Sequence, residues 1–434
     1  MSAAADRGNL PTDQSTTLVA EKLIGGGRAI AHLDGSTWMV AGALPGERVR
    51  AAVLKRRAGI IEAGTLEVLS ETHPARLEDP CPQTGICGGC DWPHVDPDAG
   101  ADLKAAAAAE AARAFPDLAN RIASAPLHRS KGGYRLRSRL HWDAEQKRLG
   151  FYEYRSREVA AIDSCRILSP RFMRGLPQLT HALAKNCSAH VDLEWLEGTG
   201  ADDTIAALRP AKGGPKEIDA AWLPGPDDLG SIVSGFHTLS KTGHLDRGWG
   251  ATEVRIELPI PLNVPIGSFF QGNRHLIGPL FRRVAELVGG VPAPVFDLHA
   301  GVGYLAAAAR FAAERDLTLV EPQREAALAA GRNLPGARVV VGATAEAFVA
   351  DAGDLPRESL VMTDPPRTGL SNDLRRHIAR WQPQRILMLG CDPATWARDA
   401  GFLCELGYQP TVIEIFDLFP STHHLEILAL MERA

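Results

Sequence analysis

Asp297-Leu298-His299-Ala300-Gly301-Val302-Gly303-Tyr304 is the stretch on which the fold turns. It follows the apolar run Val295 to Leu298 and opens a helical stretch, and its two glycines let the backbone pass close to a ligand. Further along, apolar runs alternate with helical segments: Leu317 to Val320, Val339 to Val341, Leu360 to Thr363, Arg385 to Leu389, Val412 to Phe416 and Glu426 to Met431. That alternation predicts an α/β domain with a mostly parallel, doubly wound sheet, helices on both faces and ligands at the carboxyl ends of the strands.

Gly-x-Gly alone also fits a tight structural turn. Glu321, about 20 residues beyond the loop at the end of the second run, is what favours a ligand, because an acid there can bind ribose hydroxyls. The loop lacks the third glycine that a dinucleotide pyrophosphate prefers, so an adenosyl ligand without phosphate, such as S-adenosylmethionine, suits it better.

Two more strand ends carry polar chemistry. Asp364-Pro365-Pro366-Arg367-Thr368-Gly369 follows the fourth run, where a rigid turn can hold a carboxylate and carbonyls toward a planar base or amide. Leu389-Gly390-Cys391-Asp392-Pro393 follows the fifth. A cysteine is usually a small buried hydrophobe, but Cys391 lies at the same sheet edge as Asp364 and the glycine loop, which makes it a candidate nucleophile. Glu426, opening the last run, can return a carboxylate to the same crevice as a general base. The adjacent His423 and His424 would point to opposite faces of an extended segment, so they do not read as a shared metal site.

Working toward the N-terminus, the pattern changes. Leu18 to Leu23, Ala29 to Leu33, Thr37 to Val40, Arg48 to Leu54 and Ile60 to Leu69 read as five short strands, with Asp34-Gly35 as a hairpin turn. They predict a small barrel of the oligonucleotide-binding (OB-like) kind over residues 16–72, after a disordered tail at 1–15. Asp102 to Phe115 reads as a helix stopped by Pro116, able to pack on the C-terminal domain; Tyr134 to Trp142 and Leu149 to Tyr154 read as paired strands. From about Cys165 to Leu258 the pattern is mixed and yields no clear elements. Cys81-x5-Cys87-Gly88-Gly89-Cys90 puts three thiols on a glycine-loosened loop, with Cys165 free as a fourth. Lacking a Cys-x-x-Cys pair on each side, the set favours an iron-sulfur cluster, with zinc as the alternative.

A chain of 434 residues exceeds one compact core, and 45% hydrophobic with 23% charged residues suits a globular protein. No apolar run is long enough for a membrane span and no signal peptide is evident, which points to the cytoplasm. Seven cysteines without an export signal do not read as a disulfide framework. A net charge of −5 confines nucleic-acid binding to local patches, one at Arg48, Arg50, Lys55, Arg56 and Arg57, another at Arg129, Lys131, Arg135, Arg137 and Arg139.

Taken together, Cys-x5-Cys-Gly-Gly-Cys, Ser268-Phe269-Phe270-Gln271-Gly272-Asn273, Asp-Pro-Pro-Arg-x-Gly, the Cys391 turn followed by Arg398-Asp399, and the closing His-x-Glu resemble the RNA uracil-C5 methyltransferases. The resemblance is strongest to the branch that methylates 23S ribosomal RNA and carries a TRAM barrel and a 4Fe-4S cluster, and it runs from Leu18 to Met431. It implies a TRAM barrel at 16–72, a central α+β RNA-binding and iron-sulfur domain at 73–260, and a class I methyltransferase domain at 261–434. It implies Cys81, Cys87, Cys90 and Cys165 as cluster ligands, Cys391 as nucleophile and Glu426 as the base that removes the C5 proton. Gln271, His299, Tyr304, Glu321, Thr344 and Asp364 would line the S-adenosylmethionine and uracil site. At His299, Tyr304 and Thr344 the family would have Phe, Asn and Asn or Asp, and at Gly390-Cys391-Asp392-Pro393 more often Ser-Cys-Asn-Pro. The implied partner is RNA, 23S ribosomal RNA before transfer RNA, met by a monomer.

Overall fold

The structure is a computed structural model describing residues 14–290 and 292–433. Strands β1 (Ser15–Val19), β2 (Lys22–Ile24), β3 (Arg28–Leu33), β4 (Ser36–Ala41), β5 (Arg48–Arg57) and β6 (Ile60–Val68) form one sheet in the order β1-β5-β6-β4-β3-β2. Two register shifts between β5 and β6 help curl it into a β-rich half-barrel around Leu18, Val40, Val49 and Ala63. The run expected from Leu18 to Leu23 is broken, giving six strands rather than five. Its cause is a change of partner: Ala20 N–H donates to Glu47 O at 2.9 Å, whereas Glu21 N–H donates to Ile30 O at 2.8 Å. Strand β1 starts at Ser15, inside the stretch expected to be a disordered tail; residues 1–13 of that tail lie outside the described residues.

Helix α1 (Pro97–Ala111) starts five residues before the expected Asp102, because Asp96 caps it: its side chain accepts from Asp98 N and Ala99 N, with Pro97 in the first turn. Pro116 opens α2 (Pro116–Ala123) rather than merely stopping a helix, since a first-turn proline has no needed N–H to lose. There follow β7 (Leu127–His128), β8 (Arg137–Asp143), β9 (Arg148–Tyr152), β10 (Val159–Ala161), α3 (Pro170–Asn186), β11 (Val191–Glu197), β12 (Thr204–Pro210), α4 (Pro226–Leu229), β13 (Gly235–Leu239) and β14 (Leu245–Gly250). All but β7 of these strands form a second sheet, order β10-β9-β8-β11-β12-β13-β14, whose core joins α3 through Phe172, Leu176 and Leu179 to Trp195 and Phe236. Strand β11, Val-Asp-Leu-Glu-Trp-Leu-Glu, is buried along its whole length. Its acids mimic a solvent face in sequence, but Glu194 pairs with Arg137, Arg139 and Arg209, and Glu197 with Arg274. A hairpin of β15 (Glu253–Ile256) and β16 (Leu262–Pro265) crosses the boundary expected at 260/261.

The remaining elements are α5 (Ile277–Val288), β17 (Val295–Asp297), α6 (Tyr304–Ala312), β18 (Leu317–Glu321), α7 (Arg324–Asn333), β19 (Arg338–Val341), α8 (Ala345–Asp351), β20 (Leu360–Thr363), α9 (Asn372–Trp381), β21 (Arg385–Gly390), α10 (Pro393–Glu405), β22 (Tyr408–Phe416) and β23 (Glu426–Arg433). Every apolar run anticipated in this half is a strand. Their sheet runs β19-β18-β17-β20-β21-β23-β22-β7, parallel from β19 to β21, with β23 antiparallel to both neighbours. Strand order reverses at β17, between β18 and β20, which opens a crevice beyond their carboxyl ends. Separate apolar cores pack the two sheet faces. Lys104 of α1 reaches into this half, its ammonium 2.7 Å from the Asp417 carboxylate in a buried pair. Among the described residues no helix is long and apolar enough to cross a membrane.

Candidate active site

The glycine loop after β17 makes its turns at Gly301 (φ 54°) and Gly303 (φ 92°), the latter capping α6. A side chain on Gly303 would come 2.9 Å from Leu334, so both conformation and packing call for glycine. Glu321, at the end of β18, accepts from Gly301 N at 2.8 Å and from Gln323 N at 2.7 Å, which fixes its carboxylate against the loop. Burial pushes the Asp297 carboxyl up to about 7, and one of its oxygens has no protein partner. His299 faces Thr363, Nδ1 to Oγ1 2.9 Å, and burial drives its pKa down to about 4, leaving a neutral ring at neutral pH.

Two residues expected with them are engaged elsewhere. The Tyr304 hydroxyl donates to Ile277 O at 2.5 Å and its ring packs edge-on against Phe270 and Phe281. Thr344 caps α8, its hydroxyl accepting from Ala347 N at 3.2 Å.

The second half of the crevice is built by strand register. Antiparallel pairing sets Gly390 opposite Ile427, so the next residue outward on each chain is Cys391 and Glu426 respectively. Asp392 caps α10 by accepting from Thr395 N at 2.9 Å, which makes a sharp strand-to-helix turn at the thiol. A side chain on Gly390 would come 2.8 Å from Trp396. The Asp364–Gly369 loop is held from α10: Leu370 N–H donates to Asp399 Oδ2 at 2.7 Å, Arg398 to Thr368 O at 3.0 Å, and the Thr395 hydroxyl to Arg367 O at 3.0 Å. Gln271 reaches in from the segment before α5, its Nε2 donating to Asp364 Oδ2 at 3.0 Å.

Electrostatically these groups form one unit. Burial pushes the Cys391 thiol up to about 12; the Glu426 and Asp364 carboxylates add to the shift and Arg367 opposes it. Burial, then the Asp364 charge, raises Glu426 well above the usual carboxylate range, again against Arg367. Burial also raises Asp364, against the Gln271 hydrogen bond. The buried oxygens Gln271 Oε1 and Glu426 Oε2 have no protein partner, which leaves both open to a bound ligand. Arg367 was not singled out in the sequence, although it follows the double proline; it is exposed at the crevice mouth and donates toward His424 Nε2 at 2.8 Å. Phe269 was also passed over, yet an aromatic ring 58% exposed two residues before Gln271 is a stacking surface. His423 takes a different partner, Asp91 Oδ2 at 2.7 Å.

Cys81, Cys87, Cys90 and Cys165 border one cavity of about 70 Å³, lined also by Leu77, Val95, Phe151, Ile162 and Ile167. On the measure by which about 10–15 Å³ houses a water, this is roomy, and its apolar walls offer water little. Gly89 N–H donates to Cys87 Sγ at 3.3 Å. Burial pushes the Cys90 thiol up to about 12, and the other three sulfurs add to it. Among the described residues no group of three or more His, Cys, Asp or Glu is arranged to hold a metal ion, so the four expected ligands share a cavity without forming a single-ion site. The second basic patch is not one face: Arg137 and Arg139 turn to Glu194, Arg129 pairs with Asp102, and Arg135 turns toward the cysteine cavity.

Over 98% of its length the chain is 31% identical to the 23S rRNA (uracil(1939)-C(5))-methyltransferase RlmD of Pseudomonas putida, covering 95% of that protein. The chain belongs to the RNA uracil-C5 methyltransferase family. The RlmD protein of Alkalilimnicola ehrlichii is 32% identical over 94% of each chain. Residues 356–434, which hold Asp364, Cys391 and Glu426, match the family described as tRNA (Uracil-5-)-methyltransferase. In fold, this uracil-C5 methyltransferase resembles the tRNA (uracil-54, C5)-methyltransferase of Pyrococcus abyssi, solved with S-adenosyl-L-homocysteine. The TM-score is 0.73 at 21% identity, over 96% of this chain and all of that one. As a uracil-C5 methyltransferase, the protein takes its methyl group from S-adenosylmethionine.

Proposed function

We propose that the protein methylates C5 of a uridine in 23S ribosomal RNA through a covalent bond between Cys391 and C6 of the base. The observation that carries this reading is that Cys391 and Glu426 both lie one residue beyond the Gly390–Ile427 pair of β21 and β23, with Asp364 and Arg367 acting on both electrostatically. Uracil C5 is a poor nucleophile. When the Cys391 sulfur bonds to C6, the thiol proton passes to solvent and the ring π electrons shift toward O4, which makes C5 nucleophilic. Bound S-adenosylmethionine supplies the electrophilic methyl group. Glu426, acting as the carboxylate, accepts the proton from C5; the C–H electron pair re-forms the C5–C6 double bond and Cys391 leaves as the thiolate. Gln271 and Asp364 would orient the base, Arg367 would offset the negative charge of the thiolate and enolate, and Glu321 would bind the cofactor ribose, with His299 beside it. Tyr304 and Thr344 would act through the loop and helix start they stabilise. A stacked uridine must be flipped out first, at a cost of about a few kcal/mol.

Ribosomal RNA is preferred over transfer RNA because the RlmD proteins match nearly end to end at 31–32% identity, against 21% for the P. abyssi tRNA enzyme. Loss of 5-methyluridine from 23S ribosomal RNA in a strain lacking the gene is the expected result of nucleoside mass spectrometry. Loss from transfer RNA alone overturns the choice. In this reading the half-barrel at 16–72 is a TRAM module that with residues 73–260 grips RNA, while 261–434 carries out catalysis, in a cytoplasmic monomer.

The cysteine spacing favours a 4Fe-4S cluster in this cavity, with zinc as the alternative. Four sulfurs line an apolar enclosure with a backbone N–H directed at one of them. Cys81, Cys87, Cys90 and Cys165 would hold it. A bound cluster supplies a tie between two chain segments and a one-electron couple. Absorption near 400 nm, with iron and acid-labile sulfide in the protein, is the expected signature.

A further inference from the structure

Arg135 differs from its neighbours in having no anion to face. Arg129 pairs with Asp102, Arg137 and Arg139 pair with Glu194, and Arg274 pairs with Glu197. Among the described residues Arg135 has no carboxylate partner, although it is partly buried. Its backbone is tied to the segment after Cys165, Arg135 N–H donating to Ile167 O at 3.1 Å. Its guanidinium lies 5.5 Å from the centroid of the Phe151 ring, a wall of the cysteine cavity. The same charge acts on Cys87, Cys90 and Cys165.

A guanidinium withdrawn from water is costly unless an anion compensates it. The groups facing Arg135 are the Tyr134 hydroxyl, which is neutral, and the thiols, which are neutral when protonated and anionic when they ligate a metal. A 4Fe-4S core held by four thiolates carries net negative charge, so an arginine and a cluster solve each other's problem.

We infer that Arg135 is the counter-charge of the cysteine-cavity cluster and sets its reduction potential. This rests on the cluster reading above. A fixed positive charge stabilises the more negative, reduced form, so the arginine raises the potential. Its removal should lower the potential, and lysine, which keeps the charge, should largely preserve it. The Arg135 guanidinium is not among the groups that would touch uracil.

The test uses full-length holoenzyme purified without oxygen, as wild type, Arg135→Gln and Arg135→Lys. Iron and acid-labile sulfide are assayed first, then the midpoint potential by dye-mediated titration. The expected result is a full cluster in all three and a lower potential in Arg135→Gln alone. The shift should be on the order of tenfold in the reduction equilibrium, about 59 mV for one electron. Cluster loss from Arg135→Gln but not Arg135→Lys also supports a role for the charge. An unmoved potential in a fully loaded Arg135→Gln, or equal cluster loss from both variants, overturns the inference. Wild-type protein without iron and sulfide overturns the cluster reading instead.

Discussion

Cys391 sits among acids and so is a reluctant thiolate: burial, Glu426 and Asp364 all favour its proton. The sign follows directly. With a thiol pKa raised to about 12, the thiolate fraction still climbs about tenfold per pH unit across pH 7–9, where an ordinary cysteine near 8.5 begins to level off. Alkylation of Cys391 by iodoacetamide, followed on its peptide by mass spectrometry, should therefore accelerate steadily through that range; a plateau by pH 9 contradicts the electrostatics. Arg367→Ala removes the opposing charge and should slow the same reaction at every pH. In the proposed mechanism Glu426 acts after the new carbon–carbon bond forms, so Glu426→Gln should lower turnover by about 10²–10⁴-fold and let a protein–RNA adduct accumulate on denaturing gels. A variant that loses turnover with no trapped adduct would assign Glu426 an earlier role.

Single contacts between elements hold the proposed catalytic groups in register. Lys104 joins α1 to the segment between β22 and β23: besides Asp417, its ammonium donates to Phe419 O at 3.0 Å. Lys104→Met leaves the Asp417 carboxylate buried without its partner, so denaturant unfolding should show a loss of about 3–5 kcal/mol. Adding Asp417→Leu should recover much of it, since an apolar pair of similar volume substitutes well for a buried ion pair. On α10, a side chain at Gly401 would come 2.2 Å from the Phe115 ring. Gly401→Ala should thus cost about 1–3 kcal/mol through overpacking, with the α1–α2 corner loosening first in hydrogen exchange. Stability unchanged in Lys104→Met would mean that α1 is not anchored as described.

Across the whole molecule, the half-barrel, the cysteine loop and the catalytic sheet meet at one place. Gly27 (φ 68°) lies where a side chain would come 2.6 Å from His423 Cβ, and the Trp92 indole donates to Gly27 O at 2.9 Å. Trp92 N–H donates to Ser421 O at 3.0 Å, and the Tyr134 hydroxyl to Pro420 O at 3.2 Å. Gly27→Ala should push the 420–424 segment, and with it Glu426, lowering methyl transfer while S-adenosylmethionine binding by calorimetry stays unchanged; equal loss of both would point to general unfolding.

This architecture was unevenly legible in the sequence. The catalytic sheet was clear because its strands are short, apolar and punctuated by helices. Cys391, Asp364 and Gln271 stood in recognisable local motifs. The central sheet was opaque because β11 hides acids inside, paired with arginines on neighbouring strands, so its charge pattern imitates a surface. Tyr304 and Thr344 were read by position, which says where a Cα lies but not that a hydroxyl is already spent on Ile277 O or a helix cap. Arg135 looked like one of a basic run, and only packing separates it from the rest.

The most direct test of a covalent Cys391 mechanism is mass spectrometry of the enzyme after incubation with S-adenosylmethionine and a 23S ribosomal RNA fragment containing 5-fluorouridine. Fluorine at C5 cannot leave as a proton, so the reaction should halt with the methylated pyrimidine bound through sulfur to the Cys391 peptide. RNA methylated at ordinary uridine with no such adduct, or an adduct on another cysteine, contradicts the account.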